Sequence, residues 1–338
     1  MRNKQVTIKD LARKLDISTS TVSRALRGEP DVNPETSKKV KQLAKELNYK
    51  VNDIALSLIS KQTHTIGVII PGYIIYFYAQ ALSGIQEAAR KAGYHIIIMQ
   101  TNDSMESEKE CVEMLIHKRV DGILLSLSSE TGSRDYLNEL IKKEIPLVLF
   151  NRVSRKLKVP KVFVDDSKGG YLATKHLIEQ GCEKILHIGG PQKLQMSQQR
   201  LQGYKKALLE AGLVPEKKRM TTSDFSRESG YIAMQNIWEA QTQIDGVFAI
   251  CDAVAFGVIQ FLKEKGIAIP KQVAVIGFTD EPMNKLIEPQ LSSIAQPIEA
   301  IGKTALTSLV EAIKKKTIVE QEIKLDVQLQ KRASSVRQ

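Results

Sequence analysis

The sequence predicts an α/β protein with a small helical head at its N-terminus and a body of two lobes, each built on a parallel β-sheet. Over the first 60 residues, apolar side chains recur at helical spacing. From residue 66 onward, short runs that are apolar throughout alternate with helical stretches, as in parallel sheets covered on both faces. Two such series follow one another, and ligands usually bind in the cleft between two lobes of this kind.

The head is predicted to contain three helices. In the first, the apolar residues occupy the i, i+3, i+4 and i+7 positions of an amphipathic helix: Ile8, Leu11, Ala12 and Leu15. After a short break, Ser18 is the expected N-cap of the second helix, which ends at Gly28 and Pro30. Asn33 and Pro34 supply the N-cap and the first-turn proline of the third. Three such helices close a small core, and a turn of the helix-turn-helix kind joins the first two.

The second helix has a distinctive polar face. Its stretch STSTVSRAL places hydroxyl side chains and Arg24 on one side, with Val22, Ala25 and Leu26 on the other. A helix that serves only packing usually mixes Glu, Lys and Gln on its wet face. This face is therefore typical of a helix that contacts a partner.

The body is predicted from eight apolar runs and six helical stretches. The first series of runs covers residues 66–70, 95–99, 122–126, 146–150 and 162–164, and the second covers 184–189, 246–250 and 273–278. The helices between them are expected over residues 79–92, 107–118, 171–180, 201–211, 228–240 and 253–265. Residues 52–65 form a short linker between head and body.

The net charge of +11 is unevenly distributed. The first 62 residues carry 13 Lys and Arg against 7 Asp and Glu, a net of +6, and the other 276 carry 36 against 31, a net of +5. Over half of the excess therefore lies in less than a fifth of the chain, which indicates an N-terminal segment that faces a polyanion. A basic solvated face is the alternative.

Several classes of protein are not expected. Cys111, Cys182 and Cys251 are widely spaced and form no CxxC pair, which favours reduced cytosolic thiols over disulfides or structural zinc. The first ten residues lack the apolar region of a signal peptide, and no run approaches 18 apolar residues, so neither secretion nor a membrane span is predicted.

No catalytic, cofactor or metal motif occurs, and the five histidines have no metal-ligand spacing. Asp165 and Asp166 are adjacent carboxylates on a segment expected to be extended, where they would point to opposite sides. They are therefore interpreted as a loop or interface feature and not as an acid/base pair. Nothing in the sequence requires an enzyme.

Longer stretches resemble the LacI/GalR family of bacterial transcriptional regulators. They include VTIKDLARKLDISTSTVSRALRG, TIGVIIPG, KRVDGILLS, RLQGYKKALLEAGL, AVIGFTDEP and LSSIAQP, and together they span almost the whole chain. The resemblance implies a body like that of periplasmic binding proteins, with a small effector held between its lobes. It also implies a homodimer that binds a pseudo-palindromic double-stranded operator, in the cytoplasm and associated with the nucleoid.

The expected domains are a helix-turn-helix head at 1–51 and a hinge helix at 52–65. The first lobe is expected at 66–163 with 297–325, and the second at 164–296 with 326–338.

The resemblance makes the second helix a recognition helix in the major groove. Thr19 and Ser20 would contact base edges, and Arg24 would reach guanine or a phosphate. Contacts to phosphates are carried over to Thr7, Ser18, Thr21 and Ser23. The alternative for Ser18 and Thr21 is a purely helical role, with Ser18 only an N-cap.

In the linker, DNA contacts are carried over to Asn52, Ala55 and Leu58, with Leu58 as a wedge in the central minor groove. The alternative is that Leu58 only packs against its dimer mate. The linker departs from the family pattern at Val51, where relatives have proline, and at Leu56, where they have arginine. The first change leaves the segment less constrained, and the second removes a contact.

Effector contacts are carried over to eleven positions of the cleft: Phe77, Tyr78, Asn151, Arg152, Arg200, Phe225, Cys251, Asp252, Thr279, Asp280 and Gln296. Aromatic faces beside a few polar groups suit a sugar or a purine. Arg200 is the principal ligand contact, because a guanidinium in a cleft needs a planar or vicinal-oxygen partner. The alternatives are a salt bridge between lobes for Arg200 and ordinary core packing for Phe225.

Two departures leave the effector open. Thr279 stands where many sugar-sensing relatives have aspartate, and Cys251 stands where many have asparagine. A carbohydrate or its derivative is expected, followed by a nucleobase or an anionic sugar acid. A protein co-regulator, a solute-binding protein without regulatory function, and activation in place of repression are the other interpretations.

Overall fold

The computed structural model describes residues 6–49, 62–72, 75–130 and 135–337. The chain divides into two compact units, Met1–Thr63 and His64–Gln338, which are called the head and the body. The sequence-predicted contacts Asn52, Ala55 and Leu58 lie outside the described residues and stay predictions. Thr65, expected in the linker, is the first residue of a strand.

The head contains the three predicted helices, α1 (Ile8–Leu15), α2 (Thr19–Arg27) and α3 (Pro34–Glu46). Their caps are those expected from the sequence: Ser18 accepts from the backbone of Thr21, Gly28 is left-handed at the end of α2, and Asn33 accepts from the backbone of Glu35. Six buried residues form the core of the head: Leu11, Ala12, Val22, Ala25, Val40 and Ala44. The predicted three-helix head is confirmed.

The body contains twelve described strands and eight described helices. The strands are β1 (Thr65–Ile70), β2 (His95–Gln100), β3 (Gly122–Leu125), β4 (Leu147–Phe150), β5 (Lys161–Val164), β6 (Ile185–Gly189), β7 (Met220–Thr222), β8 (Gly246–Ala249), β9 (Ala274–Thr279), β10 (Ser292–Ala295), β11 (Glu322–Leu325) and β12 (Gln328–Gln330). The helices are α4 (Tyr76–Ala92), α5 (Met105–His117), α6 (Asp135–Lys142), α7 (Asp166–Glu179), α8 (Gln195–Glu210), α9 (Arg227–Glu239), α10 (Asp252–Glu264) and α11 (Ile298–Lys315).

The strands form two six-stranded sheets. The first has the order β11-β5-β4-β3-β1-β2 and is parallel throughout, and the second has the order β12-β10-β9-β8-β6-β7. The elements around these sheets are called the first and second lobes. The two predicted lobes are confirmed, with one difference: β12 runs antiparallel to β10. Buried strands such as β3, β4 and β8 explain why their sequences are apolar throughout.

Other elements were not predicted from the sequence. Helices α6 and α11 were absent from the prediction, as were the short strands β7, β10, β11 and β12. The signal for α11 was present, because its buried residues Ile301, Ala305 and Leu309 recur at helical spacing. Three- and four-residue strands that carry polar residues leave no such pattern, so pairing with neighbours decides them.

Helices α7 and α8 begin five and six residues earlier than predicted, and two glycines bring them together. A Cβ on Gly170 would lie 2.2 Å from the carbonyl oxygen of Arg200, and one on Gly203 would lie 2.1 Å from that of Ser167. The two helices therefore touch through their backbones, and no larger residue fits at either position. This close approach places Arg200 of α8 beside the first residue of α7, Asp166.

Candidate functional site

The N-terminus of α2 carries a cluster of hydroxyl groups. Ser18 accepts from the backbone of Thr21 at 3.1 Å, and its Oγ also lies 2.6 Å from the Oγ of Ser20 and 2.8 Å from the Oγ1 of Thr21. Ser18, Thr19 and Ser20 are exposed. The N-cap role expected for Ser18 is confirmed, and Thr19 and Ser20 lie on the exposed surface of the head.

Arg24 lies on the same helix and forms an ion pair with Asp31, with 3.0 Å between Nη1 and Oδ2. Both side chains are more than half exposed, so this pair is weak and easily exchanged for a phosphate or a base. Thr7 forms a capping box with Asp10, which uses its hydroxyl within the head. Ser23 is half-buried on α2.

In the body, several of the predicted cleft residues lie at the carboxyl ends of strands, where the backbone is unusual. Asn151, Phe225, Thr279 and Asp280 have positive φ values of 59°, 72°, 132° and 64°. They lie at or just after the ends of β4, β7 and β9. Such conformations cost about 1–3 kcal/mol each, and strained residues of this kind cluster at functional sites.

Contacts between the lobes show that these strand ends face one another. The guanidinium carbon of Arg152, after β4, lies 4.9 Å from the ring centroid of Phe225, after β7. The backbone N–H of Arg155 donates to Oε1 of Gln195, at the start of α8, over 3.3 Å. The strand ends of the two sheets therefore approach each other, as the predicted cleft requires.

Arg152 is held by an acidic residue that the sequence-based prediction missed. Its Nη1 donates to Oδ1 of Asp103 over 2.6 Å, and Asp103 also accepts from the backbone and the hydroxyl of Ser129. The signal was the Asn-Asp-Ser sequence at 102–104, shortly after the second predicted strand, because these residues often shape loops at strand ends.

Asn151 is held in place by the buried hydroxyl groups of Tyr78 and Ser126. Its Nδ2 donates to the hydroxyl of Tyr78 over 3.1 Å, and that hydroxyl lies 2.8 Å from the Oγ of Ser126. Tyr78 is 1% exposed and Phe77 is 6% exposed, and both belong to the apolar core. These two predicted cleft residues therefore support the cleft from beneath, because α4 begins early enough to turn their rings inward.

Arg200 is buried and ion-paired within the second lobe. Its Nε donates to Oδ1 of Asp166 over 2.8 Å, its Nη1 donates to the carbonyl of Ile250 over 2.6 Å, and its guanidinium lies 3.5 Å from the ring centroid of Phe278. Burial raises the pKa of Asp166, and the Arg200 charge opposes that rise. Within the described part of the chain, Nη2 makes no hydrogen bond.

The prediction of an extended segment at Asp165 and Asp166 was wrong. Asp165 is the N-cap of α7, where it accepts from the backbone of Lys168, and it pairs with Lys324. Asp166 is the first residue of the helix and turns inward to Arg200. Because the two carboxylates have separate partners, they form no acid/base pair.

Asp252 is fully buried, and its carboxylate is saturated within the second lobe. It accepts from the Oγ of Ser293, from the backbone of Glu281 and from the Nδ2 of Asn284 over 2.6, 2.8 and 3.0 Å. It therefore positions the loop after β9 and does not face the cleft. Next to it, burial raises the pKa of Cys251 to about 12, so that its thiol stays protonated at neutral pH.

The loop after β9 is also held from the C-terminal segment. Asp280 pairs with Arg332, with 2.6 Å between Oδ1 and Nη1. Gln296 donates from Nε2 to the Oγ1 of Thr279 over 3.3 Å. Arg332 was not anticipated, because its partner lies 52 positions earlier in the chain.

Three buried polar atoms around the cleft have no hydrogen-bond partner in the described chain: Gln195 Nε2, Ser197 Oγ and Gln296 Oε1. A Cβ on Gly190 would lie 2.7 Å from Ser197 Oγ and 2.8 Å from the Phe225 ring, which places Ser197 beside that ring. Buried polar groups are nearly always satisfied, so these atoms indicate a site for water or ligand hydroxyl groups. Sequence reasoning missed Gln195 and Ser197.

Glu281 is a further residue of the same region that was not predicted. It is half-buried, and burial together with the nearby Asp252 raises its pKa to about 7. Burial and, after it, the charge of Glu281 raise the pKa of Tyr76, at the start of α4 in the other lobe. Glu281 therefore lies within electrostatic reach of both walls of the cleft.

In the described residues, no cluster of three or more His, Cys, Asp and Glu side chains suited to a metal ion occurs. Over the same ranges, no helix is both long enough and apolar enough to span a bilayer.

Two family models match the chain. Residues 7–52 match the family described as bacterial regulatory proteins, lacI family. Residues 63–333 match the one described as periplasmic binding proteins and sugar binding domain of LacI family.

Similar proteins cover almost the whole chain. It is 34% identical over 308 residues to the ribose operon repressor of Haemophilus influenzae, covering 91% of this chain and 92% of that protein. It is 33% identical over 312 residues to the HTH-type transcriptional repressor PurR of Vibrio atlanticus, covering 92% of each. It also resembles a solved complex of the transcriptional regulator CelR with cellobiose, with 29% identity, a TM-score of 0.74 and coverage of 98% of this chain and 100% of that one.

Proposed function

The chain belongs to the LacI family of bacterial regulatory proteins, and from that premise we propose that it is a homodimeric repressor controlled by a neutral carbohydrate. Helix α2 of each head reads one half of a pseudo-palindromic operator, and the carbohydrate binds in the cleft of the body. The dimer acts in the cytoplasm, associated with the nucleoid. The proposed domains keep the boundaries expected from the sequence, except that Thr65 belongs to the first strand of the body.

The class of effector is inferred from the charge balance of the cleft. Three arginines lie at or near it, and each is paired with a carboxylate at 2.6–2.8 Å: Arg152 with Asp103, Arg200 with Asp166, and Arg332 with Asp280. Each of these arginine charges is therefore already neutralised, and an anionic effector would have to bind beside a carboxylate. Two anions close together repel each other, so the pairing favours a neutral ligand over a sugar acid or a phosphorylated sugar.

The unpartnered atoms favour a polyhydroxyl ligand. Gln195 Nε2 is a donor, Gln296 Oε1 is an acceptor, and the Ser197 hydroxyl is both. A sugar hydroxyl also donates and accepts, so a polyhydroxyl ligand offers a partner to each of these kinds of group. The adjoining Phe225 ring offers the apolar surface on which a sugar face packs.

The relatives support the same class of effector. The ribose operon repressor is named for a sugar operon, and the similar CelR structure contains cellobiose. A nucleobase is the second candidate, because the chain is almost as similar to a repressor named PurR. A nucleobase is planar and presents its donors and acceptors only along its edges, whereas a sugar ring presents hydroxyl groups in several directions.

The test begins with calorimetry of the full chain. The ligands are neutral sugars that include ribose and cellobiose, the purine bases, and two anions, gluconate and glucose 6-phosphate. Operator DNA is then selected from a random pool, and its affinity is measured with and without the ligand that binds.

A neutral sugar that binds and changes operator affinity is expected. Preferential binding of a purine or an anion would contradict the proposal that the effector is a neutral carbohydrate. If the protein binds the selected DNA but none of the small molecules, control by a protein co-regulator becomes the better interpretation.

A further inference from the structure

The amino ends of the strands in the first sheet carry an excess of positive charge. Four connections run from the last two residues of a helix to the next strand of this sheet, at residues 91–94, 116–121, 141–146 and 314–321. These connections contain eight cations and three carboxylates, a net charge of +5, which equals the net charge of all 276 residues after Gln62. The eight cations are called the basic edge: Lys91, Lys118, Arg119, Lys142, Lys143, Lys314, Lys315 and Lys316.

The second sheet provides an internal comparison. Its four corresponding connections, at residues 178–184, 209–219, 238–245 and 263–273, contain seven cations and seven carboxylates, a net charge of zero. Lysines near helix C-termini are often explained by the helix dipole, because they offset its negative end. That explanation applies equally to both sheets, so it does not account for the difference between them.

The cations of the basic edge lie on the surface of the body. All eight are exposed. Lys91 pairs with Glu87 and Lys315 with Glu311, whereas Lys118, Lys142, Lys143, Lys314 and Lys316 form no ion pair with any described residue. Because the sheet is parallel, the connections lie along one edge, and they precede β11, β4, β3 and β2. With strands about 4.8 Å apart, the row extends over roughly 24 Å.

This edge is also where the chain enters the body from the head. Residues 62–64 lead directly into β1, which lies between β3 and β2 in the same sheet. A head bound to DNA therefore holds the body to the nucleic acid through a connection that joins the body at this edge. Tethering raises the effective concentration of one for the other.

We propose that the basic edge is a second DNA-binding surface, which contacts backbone phosphates without reading sequence. The proposal rests on the DNA-binding function proposed above and adds a contact made by the body. Its contribution is electrostatic, so it would raise affinity for any duplex and steepen the dependence of affinity on salt.

The test uses the full chain and two matched triple variants. In the first, Lys118→Gln, Lys142→Gln and Lys143→Gln remove three unpaired charges from the basic edge. In the control, Lys217→Gln, Lys263→Gln and Lys271→Gln remove three exposed charges from the connections of the second sheet. Binding to a mixed-sequence duplex of about 60 base pairs is measured between about 50 and 200 mM KCl, where counterion release dominates.

The edge variant is expected to bind several-fold more weakly at low salt. Its slope of log affinity against log salt should be shallower by about 0.9 for each phosphate that the protein no longer neutralises. The control variant should match the native chain. Arginine at the same three edge positions should restore the slope, which separates loss of charge from a damaged fold.

Equal slopes for the edge variant and the control would contradict DNA binding by the basic edge and leave the proposed function unaffected. A native chain with no salt-dependent affinity for duplex DNA would instead overturn the proposed function.

Discussion

Arg152 of the first lobe lies with its guanidinium 4.9 Å from the ring centroid of Phe225 in the second lobe, and Asp103 holds it there. The contact joins residues from two different sheets, so it is sensitive to the angle between the lobes. A ligand that binds between the lobes is coupled to that angle, because it binds one arrangement better than the other. The pair is therefore a place where ligand occupancy and lobe geometry are linked.

Arg152→Lys tests this link. The ammonium group of the variant would keep a positive charge for Asp103, but the planar guanidinium that packs on the ring would be absent. A cation–π contact of this kind is worth about 0.5–2 kcal/mol, so effector affinity is expected to fall by about 2- to 30-fold in calorimetry. Arg155→Lys is the control, because its side chain pairs with Glu322 inside the first lobe. Similar decreases in both variants would show that the interaction with Phe225 has no special role.

The buried pair of Arg200 and Asp166 allows stability to be separated from ligand binding. Arg200→Ala leaves the buried Asp166 carboxylate unpaired and is expected to cost about 3–5 kcal/mol in urea unfolding. Arg200→Met combined with Asp166→Leu removes both charges and is expected to recover most of that stability. The double variant should still fail to bind the effector, because it has no Nη2 at this position. A double variant with native effector affinity would limit Arg200 to a structural role.

On the head, Arg24→Ala is expected to cost about 1–3 kcal/mol on the preferred operator and much less on random DNA. The ion pair with Asp31 does not prevent this, since both side chains are exposed. Arg13→Ala is the control, because Arg13 is an exposed cation on α1. Titration of labelled duplexes measures both affinities. An equal decrease on both duplexes would make Arg24 a phosphate contact.

His187 predicts a dependence of stability on pH. It is stacked between Tyr204 and Phe248, and burial lowers its pKa to about 4. In the unfolded chain the pKa is about 6.5, so the unfolded state binds the proton more readily between these values. The stability that His187 contributes is therefore present above pH 6.5 and lost as pH falls through 4, by about 3 kcal/mol.

His187→Phe should remove this acid-side decrease, as measured by urea unfolding at several pH values. Glu281, whose pKa is raised, acts with the opposite sign, so the difference between variant and native chain is the quantity to compare. His95→Gln is the control, because His95 is exposed. An unchanged difference across this pH range would exclude His187 as the titrating group.

Sequence reasoning worked best where the determining interactions are local. The caps Ser18, Gly28 and Asn33 each bond or turn within a few residues, so residue type alone indicated them. It failed for β10, whose three- to four-residue pairings with β9 and β12 come from distant parts of the chain. It also predicted the start of α8 six residues too late, because the N-cap residue Leu194 has no side chain that could cap the helix.

Local patterns in the chain were enough to predict the helical head, the two series of apolar strands and the exposed polar face of α2, because periodicity and end-capping act over a few residues. The chemistry of the cleft could be seen only in the folded protein. Arg200 meets Asp166 from 34 positions away, and Asp252 meets Ser293 from 41. Whether a charged side chain faces a ligand or a buried partner depends on such contacts, which helix packing and strand order create and local sequence does not contain.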